Sequence, residues 1–575
     1  MIELPTDKLE LISFSNDLIE KCRVSVGMRS AYYRLLSAIY ETGRYDGSKS
    51  LINTLPSHVT RLAAHLYSPV ELKFSVDFEN PYPQTELDRG KQAGKILSRE
   101  WGKDAVSADV LWGRGVVDAL KYGNAFLKQW TETEWNKPVF QRKLVMPWQI
   151  GLYREDENDL NKQEAIVETS ALTLPEVWRR IHYLPDAKNL FEKIKAHAGI
   201  GNGGTGPDSF FHQVLSTSQL NTGVSGATSP LPGGIVQLGN DPNYALMGPS
   251  IAVDTVQFHE LWVKGEDDYV TIQLIEPDIL IAPLFKKSNL LGIKRQQPYD
   301  MIQPNEVTNW AWGRSELVDL IEPQALLSVW ADDLKRMYGL QVDKLIAFSG
   351  DGNITDEAYG QFRGAGYMNL PQGASVTDLT PKIPPEALPL LRFCLEIINM
   401  IGGFPPVMQG QGDQGVRAGV QLNTLLKTAS PTQRDRALLV ERQLAAAAGK
   451  SFELRRAKDP KFYWTDGSTP DKAEETKFLL SQIPDDYRVT VDSHSSSPIF
   501  SDEAAQLIFQ ARKIGDVDGE YMLDNLPFPN KEVAKARLKQ KGEQQQIQQK
   551  EFIDAAKQMP LEVQGKILEK QAGKK

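Results

Sequence analysis

The first two hundred residues divide according to the period with which hydrophobic positions recur. From residue 9 to 75, and again from 88 to 125, apolar residues return every three or four positions, which predicts helices. From Asn124 onwards apolar and polar residues alternate, as in AFLKQWTET, and this alternation predicts strands. Helical spacing returns over 173–198, so the chain begins as a mixture of helical and strand-forming segments.

The stretch from 199 to 250 has no regular period. Eleven of its 52 residues are glycine, and polar residues and prolines fill much of the rest, which predicts a long loop or insertion. Residues 199–204 match the pattern GxGxxG, but they follow a helical segment instead of a strand, so no dinucleotide site is expected. Alternation resumes over Val253–Val263 and Tyr269–Ile275, which predicts a hairpin.

Beyond residue 311 the helical period returns over a long helix that opens at Trp312. Its apolar stripe runs from Leu317 to Tyr338, and Pro323 is expected to kink it or to mark a restart. The segment 340–384 is compact and rich in glycine, with short strand-like stretches.

A second long helix is predicted over 385–403, with an apolar stripe from Leu388 to Ile401 and two glycines at its end. The sequence FPPVMQGQGDQGVRAG separates it from a third helix over 420–448, which Pro431 interrupts. The rest of the chain reads as short strands and then helices, so the fold class is predicted to be α+β.

Charge and cysteine content narrow the range of functions. The net charge of -9 argues against a protein that grips DNA, because phosphate neutralisation supplies most of that affinity. An acidic channel through which DNA slides is compatible with it. The two cysteines, Cys22 and Cys394, lie far apart, which excludes a disulfide framework. No signal peptide is recognisable, and no stretch reaches the ~18 consecutive apolar residues of a membrane-spanning helix.

The sequence offers little for catalysis. The phosphate-binding pattern GxxxxGK[ST] is absent, and the seven histidines lack the spacing of a metal site. Carboxylates cluster at Asp351, Asp356 and Glu357, and at Asp332 and Asp333, but no histidine or lysine accompanies them at a persuasive spacing. We therefore expect no catalytic residues, no metal and no cofactor.

The order of the elements after residue 250 resembles that of the portal proteins of tailed bacteriophages. The Gly-x-Ser sequence within Trp312–Ser315 resembles that family's entry to its first stem helix, and IINMIGGFPPVMQG is similar to the end of its second. The stretch ending in GEYMLDNLPF is similar to the family's crown helices. The resemblance covers roughly residues 250–545, while the first 250 residues match by position only, and the glycine-rich insertion is not a general family feature.

This resemblance implies a portal-like α+β subunit with seven parts. They are a wing (1–311, with the glycine-rich insertion 199–250), a first stem helix (312–339), a clip (340–384), a second stem helix (385–404), a tunnel loop (405–419), a kinked helix with a return to the wing (420–500), and a crown with a C-terminal tail (501–575).

The resemblance also implies the function and the partners. About twelve subunits would form a ring at one capsid vertex, and double-stranded DNA would pass through its axis during packaging and ejection. The implied partners are the terminase large subunit as a separate motor, the head–tail adaptors, and the major capsid and scaffolding proteins, with no membrane. The protein would lie in the virion, and in the host cytoplasm during assembly.

Two groups of residues are expected to carry these contacts. The tunnel-loop residues facing DNA are Gln409, Gln411, Asp413, Gln414 and Arg417, which would touch phosphate without gripping it. The clip residues that would contact the terminase or an adaptor are Asp351, Asp356, Glu357 and Arg363.

Two other classes of protein remain as alternatives. A metal-dependent DNA-processing enzyme would use the carboxylate clusters, and metal-dependent nicking of plasmid DNA, abolished by Asp356→Ala, would favour it. A head–tail adaptor or a scaffold would show no central channel, although adaptors are usually much shorter and scaffolds more uniformly helical.

Overall fold

The computed structural model of the protein describes most of the chain between residues 4 and 491. The described residues are 4–45, 49–67, 72–102, 108–134, 137–200, 254–275, 278–282, 289–342, 346–349, 375–378, 382–403, 431–463, 477–491 and 508–514, with Met522 and Arg537. The chain forms two compact units, of which the larger comprises 1–68 and 73–491 and the smaller 69–72 and 492–575. Within the smaller unit, residues 508–514 are helical.

Among its described residues, the larger unit forms nine α-helices. They are α1 (Lys8–Thr42), α2 (Leu55–Leu66), α3 (Gln84–Trp101), α4 (Ala108–Tyr122), α5 (Leu174–Ile181), α6 (Ala187–His197), α7 (Ile321–Val342), α8 (Ala387–Ile401) and α9 (Pro431–Lys458). α1 begins at a side-chain cap, since the carboxylate of Asp7 accepts hydrogen bonds from the N–H groups of Leu9 and Glu10.

The strands form two larger sheets and three pairs. They are β1 (Phe74–Phe78), β2 (Ala125–Glu134), β3 (Lys137–Val145), β4 (Ile150–Leu152), β5 (Ala165–Thr173), β6 (Gly199–Ile200), β7 (Asp254–Lys264), β8 (Tyr269–Ile275), β9 (Ile279–Ala282), β10 (Tyr299–Ile302), β11 (Ile346–Ser349), β12 (Ser375–Asp378), β13 (Phe462–Tyr463), β14 (Phe478–Leu479) and β15 (Tyr487–Val491). The six-stranded sheet has the order β4-β5-β7-β8-β9 with β6 on β7, and the three-stranded sheet has the order β10-β2-β3.

The two larger sheets pack face to face, and helices cover their outer sides. One apolar cluster lies between the sheets, where Phe126 meets Ile166, Trp262 and Trp312. A second lies on the other face of the six-stranded sheet, where Leu18 and Cys22 of α1 meet Val167 and Leu261. Because β5 and β7 are covered on both faces, nearly every position in them is buried, including polar residues such as Glu168 and Glu260.

A buried ionic cluster lies within the core between the sheets. The Lys128 Nζ lies 2.5 Å from Glu168 Oε2 and 2.7 Å from Glu260 Oε1. The Tyr299 hydroxyl donates to Glu168 over 2.8 Å, and the Trp262 indole N–H donates to Glu260 over 2.9 Å. Burial raises the pKa of Glu260, but Lys128 and the hydrogen bonds donated by Trp262 and Gln273 outweigh it and leave that pKa below its ordinary value. The cluster is fully paired and therefore structural.

The long helix α9 is fixed to the three-stranded sheet by polar contacts. Lys450 Nζ lies 2.8 Å from Asp300, and the Gln129 amide donates to Asp300 over 2.7 Å and to the Ala447 carbonyl over 2.8 Å. Glu100 of α3 pairs with both Arg142 and Arg455. α9 is thus a rigid part of the same body as the sheets.

Most predicted elements in the first half of the chain are present. The helical periods before residue 125 correspond to α1–α4, in which Trp101 and Trp112 are fully buried, and the predicted hairpin is β7–β8. The predicted single helix over 173–198 is two helices, because Asp186 takes a left-handed conformation between them (φ 62°). The fold class is α+β, as predicted.

Two predictions about the long helices were wrong in their bounds. The first helix does not open at Trp312 but begins at Ile321, after a 3-10 turn over Val318–Leu320. Pro323 therefore lies in its first turn, where no backbone N–H is needed, and causes neither a kink nor a restart. The third helix is described from Pro431 and continues to Lys458, ten residues beyond its predicted end.

Candidate self-association surface

The two helices α7 and α8 form an antiparallel hairpin with a small strand pair between them. β11 and β12, which lie between the helices in sequence, pair antiparallel with Ile346 opposite Asp378. At the other end, α8 contacts the 3-10 turn that precedes α7. We call α7, β11, β12 and α8 together the hairpin. We call the described residues of 4–315 and 431–491 the sheet body.

The hairpin is attached through the sequence Trp312–Ser315. Trp312 is buried, its indole N–H donates to Glu155 over 2.6 Å, and the Arg29 guanidinium stacks on its ring. Gly313 packs so closely on the backbone of Gly123 that no side chain fits there. Ser315 Oγ donates to the Lys121 carbonyl over 2.6 Å. This motif is a packed turn that fixes the chain entering the hairpin to the end of α4.

The first half of α7 packs on the connection between α1 and α2. The Gln324 amide donates to the Ile52 carbonyl over 2.7 Å, and Ser50 Oγ donates to Ser328 Oγ over 2.8 Å. The Tyr45 hydroxyl donates to Glu322 over 2.7 Å. These contacts hold one face of α7, which therefore cannot rotate to bury another face.

A charged cluster closes the base of the hairpin. Glu316 lies 3.8 Å from the His58 imidazole and 3.1 Å from the Arg436 guanidinium of α9. Burial raises the pKa of Glu316, but the hydrogen bond from His58 and the charge of Arg436 outweigh it and hold that pKa below its ordinary value. Gly402, directly after α8, packs against the His58 ring with no room for a Cβ. The segment that leads into α7, the end of α8 and α9 are therefore joined at one point.

Helix α8 is apolar around almost its whole circumference. Its 15 residues include two charged ones, Arg392 and Glu396. Cys394 and Ile398 are buried on the packed side, whereas large apolar side chains elsewhere on the helix are exposed: Leu388 (53%), Leu390 (41%), Phe393 (56%), Met400 (75%) and Ile401 (45%). A helix that is hydrophobic on all sides is normally buried on all sides.

Helix α7 also exposes apolar side chains away from its packed face. Leu327 and Ala331 are buried, and Val329 lies two residues from each, which is about 160° around the helix at 3.6 residues per turn. Val329 is 56% exposed, and Leu326 is 44% exposed. Elsewhere the large exposed apolar residues of the described chain are scattered, whereas here they gather on two adjacent helices. Such a patch marks an interaction surface.

The site residues predicted from the sequence lie outside the described residues. This holds for the tunnel-loop residues Gln409, Gln411, Asp413, Gln414 and Arg417, and for the clip residues Asp351, Asp356, Glu357 and Arg363. Of the clip, the structure describes β11, β12 and six further residues, 340–342 at its start and 382–384 at its end. It therefore brings none of these nine side chains together.

The exposed stripes of α7 and α8 were missed in the sequence, where a single stripe was assigned to each helix. Of the residues assigned to those stripes, Leu327, Leu334, Cys394 and Ile398 are buried, but Tyr338, Leu388 and Ile401 are exposed. The composition of Ala387–Ile401 was the available signal, since a helix with two charges in 15 residues has no polar side to give to solvent.

Among the described residues, several carboxylates form ion pairs, and none belongs to a group of metal-binding side chains. No group of three or more His, Cys, Asp or Glu side chains within them could hold a metal ion. Asp332 pairs with Arg44, and Asp333 lies 3.5 Å from Arg336. A cavity of about 550 Å³ between α9 and β15 is lined by Lys450, which is held by Asp300, and by Glu453, which is held by the Gln296 amide. Two of the charged groups that line this cavity, Lys450 and Glu453, are thus already engaged.

Comparisons with known proteins give no independent identification. No protein-family model matches the chain, and no curated protein matches it. Among the helices that the structure describes, none combines the length and the apolar character needed to cross a membrane.

Proposed function

We propose that the protein is the portal protein of a tailed bacteriophage, a ring-forming vertex component that conducts DNA. The observation that carries the proposal is the hairpin, in which two adjacent helices expose apolar side chains on the surfaces their own chain leaves uncovered. The resemblance in element order and motifs between residues 250 and 545 supports it.

A ring follows from the kind of contact the hairpin offers. If α7 of each copy packs against α8 of the next copy and that pair of copies does not return the contact, the contact is heterologous, and heterologous contacts that close by rotation generate rings. Because each hairpin is firmly attached at its base, it forms a rigid unit, with the strand pair β11–β12 at its far end. The clip residues named from the sequence would lie at that end, where a motor or an adaptor docks.

In this proposal the chain contributes structure and no chemistry. The terminase large subunit hydrolyses ATP, the head–tail adaptors and the tail attach to the assembled ring, and the capsid and scaffolding proteins hold it at the vertex. DNA passes along the axis past the loop that contains Gln409 to Arg417, and the net charge of -9 on each subunit disfavours its retention. No cofactor takes part.

The mass of the purified protein in solution tests this function. A subunit of 64.3 kDa in a ring of twelve gives about 770 kDa by light scattering, and negative-stain images of the same peak show an axial hole. Particles without a hole, or a monomer that also fails to form rings with capsid and scaffolding proteins, would exclude a portal. Genuine ATP turnover by the purified chain would contradict the division of labour.

A further inference from the structure

Strand β15 has one edge that no other strand of the described chain covers. On its other edge it pairs antiparallel with β1, with Phe74 opposite Val491. The Phe74 N–H donates to Ser98 Oγ of α3 over 2.8 Å, so the backbone groups of Phe74 and Val491 do not bond to each other. Such pairs alternate with hydrogen-bonded pairs along an antiparallel ladder.

Every second residue of β15 therefore directs its backbone N–H and C=O groups away from β1. These residues are Tyr487, Val489 and Val491. Among the described residues, no loop or turn hydrogen-bonds to these groups through its backbone. A row of unpaired N–H and C=O groups at the edge of a sheet is a template for a further strand. The free edge of β15 is thus suited to pairing with an extended chain.

A groove follows this edge, with helix α9 as its other wall. Its volume of about 550 Å³ falls within the roughly 300–1,000 Å³ of pockets that hold ligands. All five residues of Tyr487–Val491 line it, whereas a cavity over one face of a strand would touch alternate residues only. The groove therefore runs along the unpaired backbone of β15.

The wall that α9 contributes is made largely of small residues, namely Ala445, Ala446 and Gly449. Val489 faces this wall, since a Cβ at Gly449 would lie 4.0 Å from its side chain. The Tyr487 ring packs on Phe452 of the same helix, with 4.8 Å between the ring centroids. A strand added beside β15 would place its own alternate side chains on this face, over the small residues, which leave room for apolar side chains.

The opposite face of β15 carries a positive charge. Arg488 lies on that face, because successive side chains of a strand alternate. Arg488 and Arg442, which also lines the groove, are exposed, and neither forms an ion pair with a described residue. The other charged groups of the groove already have partners, and these are Glu441, Lys450 and Glu453. The uncompensated charge of the groove is therefore positive.

We propose that β15 accepts an additional strand from a partner protein, an extended segment in which apolar residues alternate with aspartate or glutamate. Its backbone bonds to the free edge in the antiparallel orientation, which is the more stable per residue, and extends the sheet by one strand. Residues directly opposite each other share a face, so an acidic residue opposite Arg488 pairs with it. The apolar residues on either side then lie over Ala446 and Gly449. The site belongs to the sheet body and needs no part of the hairpin.

Binding of a synthetic peptide to the complete chain tests this site. The probe is a short fluorescent peptide in which valine alternates with aspartate, and fluorescence anisotropy follows its binding. In antiparallel pairing the valines opposite Val489 and its alternate neighbours bond to β15, while the aspartate N–H groups point outwards. Methylation of the valine nitrogens should therefore weaken binding about ten-fold or more, and methylation of the aspartate nitrogens is the matched control. Equal effects of the two methylations would overturn strand addition.

Two variants locate the binding in this groove. Ala446→Trp fills the space over α9 and should weaken binding about ten-fold or more, whereas Ala457→Trp, at an exposed alanine of the same helix outside the groove, should not. Arg488→Glu should weaken binding of the aspartate peptide and strengthen binding of a peptide in which lysine replaces aspartate.

A wild-type protein that does not bind the aspartate peptide, or an Ala446→Trp variant that binds it as well as wild type, would overturn the proposal. If the peptide fails to bind and Ala446→Trp lowers the mass of the protein in light scattering, the groove joins two copies of this chain instead. That result too would overturn a partner strand.

Discussion

The sheet body and the hairpin use similar apolar residues in opposite ways. In the sheet body several of the largest side chains, Trp101, Trp112 and Trp312 among them, are fully buried, and the Lys128 charge in the core is paired. In the hairpin, Phe393, Met400 and Val329 are more than half exposed, although α8 is the more apolar sequence. On the proposed function, the sheet body is complete as one chain, whereas the hairpin is completed by another copy.

The largest loss of stability is expected from a tryptophan of the sheet body. Trp112→Ala should lower the free energy of unfolding by about 3–5 kcal/mol, because the cavity left beside Trp101 cannot close. Urea denaturation of the purified variants measures this loss. Trp310→Ala is the control, since Trp310 is exposed and its removal should cost less than about 0.5 kcal/mol. Equal losses in both variants would mean that burial does not distinguish these sites.

Lys128→Met removes the cation of the buried cluster and should lower the free energy of unfolding by about 3 kcal/mol. Glu168 and Glu260 then lie unpaired between the sheets. In the wild type, Glu260 has a folded-state pKa below its ordinary value, so its contribution is present above the unfolded pKa and disappears as the pH falls through the folded one. The gap between variant and wild type should therefore narrow on acidification.

Urea denaturation of both proteins at pH 7 and at pH 4 measures that gap. Lys143→Met serves as its control, because Lys143 lies opposite Lys128 on the neighbouring strand and is exposed. A gap that stays constant with pH would show that the carboxylates do not carry the loss.

These two variants also indicate how far the sequence could predict the fold. The strand pair β7–β8 could be recognised, because alternating apolar and polar residues on either side of a polar turn are typical of two antiparallel strands. The partnership of Lys128 with Glu168 and Glu260 could not, since it joins strands that are 40 and 132 residues apart and depends on which faces meet.

The hairpin was predictable only in part, for two physical reasons. Its two helices and the segment between them are visible in the periodicity, but Pro323 was taken for a kink, because the true start at Ile321 is set by the packed turn over Trp312–Ser315. The exposed stripes were invisible to periodicity, since a stripe that packs on the same chain and one that packs on a neighbour have the same spacing.

The buried His259 of the sheet body should make the free energy of unfolding fall by a smaller amount, about 2 kcal/mol, between pH 7 and pH 5. Burial, with a smaller effect from Arg23, lowers its pKa to about 3, and its Nδ1 lies 2.9 Å from Thr169 Oγ1. Below about pH 6.5 this histidine binds a proton in the unfolded chain but stays neutral in the folded chain. The free energy of unfolding therefore falls as the pH drops towards 3. His259→Asn should flatten this dependence, while His182→Asn, at an exposed site, should leave it unchanged.

The smallest effect on the stability of the subunit is expected from a substitution on the exposed side of the hairpin. We expect the same substitution to have a large effect on ring assembly. Phe393→Ser should change the free energy of unfolding of the monomer by less than about 0.5 kcal/mol, because the side chain is more than half exposed. The same change should abolish the ring in light scattering, since each subunit would present one damaged ridge to its neighbour. Phe462→Ser removes an equally exposed phenylalanine of the sheet body and should leave assembly intact. If both variants assembled alike, the exposed residues of α8 would be no more important for assembly than the scattered exposed residues elsewhere. The contrast between a complete sheet body and an incomplete hairpin would then be wrong.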